Sequence, residues 1–277
     1  MVKIVTDSVS DLPNEVAKEL DIAVIPLYVH FGSEEYKDGV DLSTEEFYHK
    51  LEAGSILPTT STPPSGLFAE FFDSLAEETD EIMGIFVAKK LSATYSSALK
   101  GVEMMKRKCR VELIDSTLAI MAEGFLVIEA AKRALNGATL KELTDMISST
   151  VSRIHVRITL DTLKYLEMGG RIGKAQALLG SLLKMNPIIG VQNGDVLPFG
   201  RVRSREKANE WLYNFASSFQ KIEALAIEYG TSLVEAKVLA NRIASVWPNV
   251  PMYMSKVSPV VGTHTGPGVL SVSLLER

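Results

Sequence analysis

The segment "GTHTGPG", residues 262–268, holds His264, one of only four histidines in the chain, between Thr263 and Thr265. A neutral imidazole donates one hydrogen bond and accepts another, and it can exchange a proton at physiological pH. The glycines and Pro267 next to it predict a tight, rigid turn before the last strand. We interpret His264 as a polar group that this turn delivers to a ligand site, with a purely structural histidine as the alternative.

Four other segments are rich in small polar residues, and each follows a predicted strand or precedes a predicted helix. They are "TDSVSDLP" (6–13), "TTSTPPSG" (59–66), "LSATYSS" (91–97) and "IDSTLAIM" (114–121). Helix capping is enough to explain the first and the last of them. The middle two have more hydroxyls than a single cap uses, and surplus neutral donors suit a carboxylate or a phosphate. Strand ends are also where open α/β sheets bind ligands.

Arg171 lies in "YLEMGGRIGKAQALLG", where its guanidinium could pair with a carboxylate or a phosphate. The segment is not a P-loop, because it lacks the first glycine and the final Ser or Thr of that motif. The histidines and the single cysteine have no metal-ligand spacing, and no G-x-S-x-G sequence marks a nucleophile. A hydrolase or phosphotransferase that uses His264 with Ser61 or Ser92 remains an alternative, since catalytic triads are not local in sequence.

The composition predicts a folded protein of a reducing compartment. The chain has 277 residues, of which 46% are hydrophobic and 23% charged, and its formal net charge of -5 argues against a nucleic-acid partner. The single cysteine, Cys109, excludes an internal disulfide framework. The first residues do not have the layout of a signal peptide, and no apolar run is long enough to span a membrane. We therefore expect a cytoplasmic protein.

The elements that must hold these residues form an α/β pattern. Val- and Ile-rich runs alternate with helical segments in the first half, which predicts a parallel sheet flanked by helices. In the second half, Asn193-Gly194 between apolar runs predicts a hairpin and thus a mixed α/β domain. We place the boundary near residues 148–154. This gives an N-terminal α/β domain at 1–152 and a C-terminal mixed α/β domain at 153–277.

Six segments together resemble the DegV family in sequence and in order. They are "TDSVSDLP", "TTSTPPSG", "LSATYSSA", "IDSTLAIMAEG", "LKYLEMGGRIG" and "GTHTGPGVL", and they cover the chain from Ile4 to Leu270. Members of this family are bacterial two-domain α/β proteins that bind a fatty acid and present it to a separate fatty acid kinase. The resemblance therefore implies a lipid-binding subunit without cofactor or metal. It would act as an acyl carrier for acyl-phosphate formation and phospholipid synthesis, with transient membrane contact allowed.

The resemblance also implies roles for particular residues. The carboxylate of a long-chain fatty acid would be held by residues matching the hydroxyl and histidine motifs, namely Thr60, Ser61, Ser92, Thr94, His264 and Thr265. Gly170 and Arg171 would lie near the head group or act in transfer with the kinase. We expect the acyl tunnel in the first domain, lined by Ile120, Met121, Gly124 and Phe125, although these also suit an ordinary core. A third interpretation is an interaction module whose bound lipid is only structural.

The sequence departs from the family pattern at four positions. Thr62 replaces the usual Gln and Ala93 the usual Gly, both beside the expected head group. Ile120 and Ala122 stand where members often carry Ser and Gly. These changes leave the preferred chain length of the fatty acid open.

Overall fold

The computed structural model describes residues 1–54, 56–179 and 185–277. The strands of the first half are β1 (Lys3–Asp7), β2 (Ala23–Ile25), β3 (Tyr28–Phe31), β4 (Glu34–Lys37), β5 (Thr59–Ser61), β6 (Glu81–Phe86) and β7 (Arg110–Asp115). Its helices are α1 (Asn14–Glu19), α2 (Thr44–Ala53), α3 (Ser65–Leu75), α4 (Thr94–Met104), α5 (Ile120–Leu135) and α6 (Leu140–Thr150). A short 3-10 helix, Ser8–Ser10, follows β1 directly.

The second half contributes β8 (Ile154–Thr159), β9 (Asn186–Gln192), β10 (Asp195–Val202), β11 (Ile222–Tyr229), β12 (Met252–Lys256) and β13 (Leu270–Glu276). Its helices are α7 (Lys164–Met168), α8 (Arg205–Ser217), α9 (Leu233–Val246) and α10 (Pro259–Thr265). The predicted helix "KAQALLGSLLKM" is a 3-10 helix over Gly173–Leu178, and its continuation at 180–184 lies outside the described residues. No helix in the described ranges is long and apolar enough to cross a bilayer.

The first half forms two sheets. One is parallel, in the order β2-β1-β6-β7, and the other is antiparallel, in the order β4-β3-β5. The apolar run "IAVIPLYVHF", predicted as a single strand, is divided between them. Pro26 cannot donate a ladder hydrogen bond, so the run breaks there into β2 and β3. The second sheet thereby brings β5, with its threonines, close to the ligand site described below.

All six strands after residue 153 form one mixed sheet, in the order β10-β9-β8-β13-β11-β12. The predicted hairpin is confirmed: β9 and β10 pair antiparallel around Asn193 and Gly194, whose φ angles of 51° and 75° fit a type I′ turn. The predicted order, with a parallel sheet in the first half and a mixed sheet in the second, is thus observed. The position of the boundary between the two domains stays a prediction.

The two halves share a hydrophobic core, and α10 lies where they meet. One buried cluster extends from Ile4 in β1 to Leu275 in β13. Helix α10 follows β12 of the second half, yet it packs on α2, β3 and β5 of the first. Gly262 makes this approach possible, because a Cβ there would lie 2.6 Å from Cε1 of Phe47.

The predicted turn around His264 is wrong in one respect. His264 lies in the last turn of α10, and Gly266 and Gly268 follow it. Pro259 occupies the first helical position, where its fixed φ suits a helix, and Gly266 ends the helix with a φ of 79°. A seven-residue helix composed mainly of Val, Gly and Thr has too short a repeat to be visible in the sequence.

Candidate ligand site

A cavity lies between the two halves of the chain. Concave, mostly apolar sites with a few polar groups are typical of small-molecule binding. Its walls are mainly aliphatic, with Val87 and Ala119 from the first half and Ile158, Ile189 and Val269 from the second. The polar side chains in the walls are those of Thr60, Ser92, Arg171, His264 and Thr265.

This cavity is not confined to residues 1–152, where the acyl tunnel was expected, because both halves supply its walls. Among the predicted tunnel residues, Ile120 lines the cavity, whereas Met121, Gly124 and Phe125 are not among its wall residues. The Gly124 backbone lies against Ser10, where a Cβ would be 2.9 Å from the carbonyl oxygen.

Phe125 packs instead against Tyr253, with ring centroids 6.2 Å apart. Residues 120–128 of α5 are all buried, so hydrophobicity alone could not show which of them face the cavity.

Thr60 and His264 meet at the wall of the cavity. The Oγ1 atom of Thr60, on β5, lies 2.9 Å from Nε2 of His264, on α10. Ser61, the next residue, is exposed and lies on the other face of the strand, with its Oγ 2.8 Å from Nε2 of His30. Successive side chains of a strand point to opposite faces, so Thr60 and Ser61 cannot both face the cavity. Ser61 is therefore not a wall residue of the cavity, and its role at a carboxylate stays a prediction.

Three hydroxyl groups form a hydrogen-bonded row beside this pair. Ser92 lines the cavity, and its Oγ lies 2.7 Å from Oγ1 of Thr94 and 3.3 Å from Oγ1 of Thr62. Thr94 is the first residue of α4 and is fully buried, but it is not a wall residue. Thr94 therefore orients Ser92 and does not itself reach the cavity. Thr62, at the position of the family's usual Gln, belongs to the same row of hydroxyl groups.

Arg171 reaches the cavity from the turn after α7. Its Nε donates to the carbonyl of Leu91 at 3.2 Å, and its Nη1 donates to the carbonyl of Gly169 at 2.7 Å. Gly170 has a φ of 68°, the left-handed conformation that glycine adopts readily, and no atom lies within 4 Å of its Cβ position. Gly170 thus forms the turn that directs Arg171 to the wall, and it is not itself a wall residue of the cavity.

The His264 ring is tightly enclosed. A Cβ at Gly169 would lie 2.1 Å from Nδ1 of His264, so only glycine fits beside the ring. Burial lowers the pKa of His264 from 6.5 to about 4, and the positive charge of Arg171 contributes. The imidazole is therefore neutral at pH 7. Its Nδ1 is buried and has no hydrogen-bond partner within the described part of the chain.

Thr265 also lines the cavity, but its hydroxyl donates to the carbonyl of Val261 at 3.0 Å within α10. It therefore offers a ligand only an acceptor oxygen. The alternative catalytic pairs are not formed either, because Nε2 of His264 contacts Thr60, whereas Ser61 and Ser92 have other partners. A nucleophile activated by a base needs a direct hydrogen bond to it.

A second space, which we call the outer groove, adjoins this wall. Thr60, Arg171 and His264 line both the inner cavity and the outer groove. These three side chains therefore separate the two spaces, and a group bound at the polar end of the cavity would be accessible from the groove.

The segment "TDSVSDLP" shapes the cavity from behind its wall, a role that the sequence did not reveal. The Asp7 carboxyl accepts hydrogen bonds from the amides of Val9 and Val87, at 2.9 and 3.0 Å. Ser8 Oγ accepts one from the Leu27 amide at 3.1 Å. Val9, Val87 and Leu27 are all wall residues. Burial raises the pKa of Asp7 to about 7, although both amides oppose this shift.

Within residues 1–54, 56–179 and 185–277, no group of three or more His, Cys, Asp or Glu side chains is arranged to hold a metal ion.

Known proteins share both the sequence and the fold of this chain. The family model described as "Uncharacterised protein, DegV family" matches residues 1–277. The chain belongs to the DegV family. A DegV domain-containing protein from Halalkalibacterium halodurans is 37% identical over 279 residues, which cover 98% of this chain and 97% of that protein.

Two solved DegV structures resemble this chain over their whole length. DegV from Bacillus subtilis, described as a fatty acid binding protein, has a TM-score of 0.91 and 30% identity over 100% of this chain and 99% of that one. A DegV family protein from Thermus thermophilus, described for its fatty acid binding, has a TM-score of 0.90 and 29% identity over the same shares. The DegV fold expected from the sequence is thereby confirmed.

Proposed function

We propose that this DegV protein binds a long-chain fatty acid, with the acyl chain in the inner cavity and the carboxylate at the wall formed by Thr60, Arg171 and His264. The observation that carries the proposal is the composition of the walls: they are mainly aliphatic, and the few polar side chains among them include the contacting pair Thr60 and His264. Arg171 is bonded to the carbonyl of Leu91, next to Ser92, and to that of Gly169, which touches His264. Relatives described as fatty acid binding proteins support the same conclusion.

The acyl chain supplies most of the binding free energy. Burying a methylene is worth about 0.8 kcal/mol, so a dozen supply about 10 kcal/mol, against an association cost of about 4–15 kcal/mol. The contacts to the head group therefore need only to offset the cost of removing the carboxylate from water. A buried carboxylate without partners would cost several kcal/mol, whereas each charge-assisted hydrogen bond returns about 1.5–3 kcal/mol. Thr60, Ser92 and the neutral His264 are suitable donors.

We also propose that the bound fatty acid is presented to a fatty acid kinase, and that the chain itself is not an enzyme. A carboxylate at the shared wall would be reached from the outer groove. There an oxygen of the carboxylate would attack the γ-phosphorus of ATP held by the kinase, forming an acyl phosphate as the bond to ADP breaks. A neutral imidazole leaves the carboxylate more nucleophilic than a direct ion pair would. Arg171 lines the groove and would face the incoming phosphoryl group.

The copurifying ligand provides the first test. An organic extract of the purified protein, analysed by mass spectrometry, should contain one fatty acid per chain. Addition of a bacterial fatty acid kinase and ATP should convert it to an acyl phosphate. A lipid that binds but is never phosphorylated would favour an interaction module, and hydrolysis of model esters by the chain alone would favour a hydrolase.

His264 provides the second test. His264→Ala should weaken fatty acid binding or phosphorylation and leave the fold intact, because it removes a donor from the wall of the cavity. The matched control is His49→Ala, since His49 is exposed on α2, outside the walls of the cavity and the groove. Binding and phosphorylation equal to those of the wild type in His264→Ala would remove His264 from the site.

A further inference from the structure

Asp11 connects the first half of the chain to the helix that carries His264. It follows the Ser8–Ser10 helix in the segment "TDSVSDLP", is 5% exposed, and is not a wall residue of the cavity. Its Oδ1 accepts a hydrogen bond from the Ser258 amide at 3.1 Å. Its backbone carbonyl accepts another from the Ser255 hydroxyl at 2.6 Å. Ser255 lies in β12, and Ser258 lies in the short connection from β12 to α10.

The contact lies at one end of α10 and His264 at the other. Ser258 is the residue before the first helical residue, Pro259. His264 is six positions after Ser258, and at a helical rise of about 1.5 Å per residue the two lie about 9 Å apart along the helix axis. A helix of two turns has no internal hinge. A shift at its beginning is therefore transmitted to the imidazole and to the 2.9 Å contact with Thr60.

The Asp11 carboxyl contributes to this contact through the acceptor oxygen Oδ1. Burial raises its pKa well above the usual value, and the nearby Glu228 and Asp38 carboxyls raise it further, while hydrogen bonds from Ser258 oppose the shift. An asparagine would keep an acceptor oxygen for the Ser258 amide, and it also tolerates the φ of 49° at this position.

We propose that Asp11 is a positioning residue for His264: by fixing the beginning of α10 to the first half of the chain, it sets the imidazole against Thr60 and Gly169. When fatty acid affinity is measured, the test of this inference rests on the proposed function. The position of the His264 ring can also be measured without a ligand, and that measurement tests the inference independently.

The experiment compares Asp11→Ala with Asp11→Asn. Asp11→Gly is a second truncation variant, which is needed because glycine, unlike alanine, adopts the positive φ without strain. The side-chain contact to Ser258 is lost in both truncation variants, whereas the backbone contact to Ser255 is kept. In protein that is labelled at histidine and free of ligand, the NMR signal of the His264 ring should shift in both truncation variants and keep its position in Asp11→Asn.

Fatty acid affinity, measured by displacement of a fluorescent fatty acid, should fall about three- to ten-fold in the truncation variants and less than about two-fold in Asp11→Asn. In a His264→Ala background, Asp11→Ala should have almost no further effect, because an indirect contribution disappears with the group through which it acts.

An equal loss of affinity in both backgrounds, or an unmoved His264 signal, would overturn the proposal and leave Asp11 as a general stabilising contact. A protein that binds no fatty acid would refute the proposed function, and the His264 signal would still decide the role of Asp11.

Discussion

Replacing Gly169 by alanine tests whether the position of His264 determines ligand binding. The new Cβ would lie 2.1 Å from Nδ1 and 2.8 Å from Cε1 of the ring. Non-bonded atoms of this kind separate to about 3.5 Å, so the ring must move by more than about 1 Å. Gly169 has an ordinary φ of -76°, and backbone strain therefore adds nothing to the effect.

The displacement has two consequences of calculable size. The 2.9 Å contact between His264 and Thr60 is lost, and the crowding itself costs about 1–3 kcal/mol. At about 2–4 °C per kcal/mol, Tm should fall by several degrees. The carboxylate of the ligand would lose one charge-assisted hydrogen bond of about 1.5–3 kcal/mol, so that fatty acid affinity falls about ten- to a hundred-fold.

The assay is fatty acid affinity by fluorescence displacement, with Tm measured in parallel. Gly66→Ala is the matched control, because Gly66 lies in α3 and no atom lies within 4 Å of its Cβ position. The control should keep both affinity and Tm. Wild-type affinity in Gly169→Ala would refute the reasoning, since the ring cannot stay where it is once the methyl group is present.

Two further predictions concern the wall and the buried carboxyls. Thr60→Val should weaken fatty acid binding by about ten-fold, because the contact to His264 is lost. Ser61→Ala should retain the affinity, because Ser61 contacts His30 on the other face of the strand. Equal effects of the two variants in a displacement assay would contradict the conclusion that only Thr60 faces the cavity. Burial raises the pKa of Asp38 to about 7, so the folded state retains this proton longer than the unfolded one, and the associated stability is lost as pH rises through 7. Asp38→Asn should therefore gain about 2 kcal/mol relative to the wild type between pH 5 and pH 8 in urea unfolding, and a constant difference would show that Asp38 does not titrate there.

Several features followed from the sequence because they depend on neighbouring residues. The conformation of Asn193-Gly194 is set by the two residues themselves, and the alternation of strands and helices by local periodicity. The small polar segments were also recognisable as candidate sites, since their residue types are visible without a fold. The resemblance to the DegV family then singled out Thr60, Ser92, Arg171 and His264 among them, and all four line the cavity.

Other features were decided only by the tertiary structure, because they depend on which surfaces meet. Thr60 and Ser61 are chemically alike, and the pairing of β5 with β3 determines which of them faces inward. Helix α5 is buried on all sides over its first nine residues, so only packing shows that Ile120 faces the cavity. The contact between Thr60 and His264 joins residues 204 positions apart, and it forms because Gly262 and Gly169 leave room for α10 and its ring. Local sequence selects side chains able to hold a carboxylate, whereas long-range packing selects which of them come together.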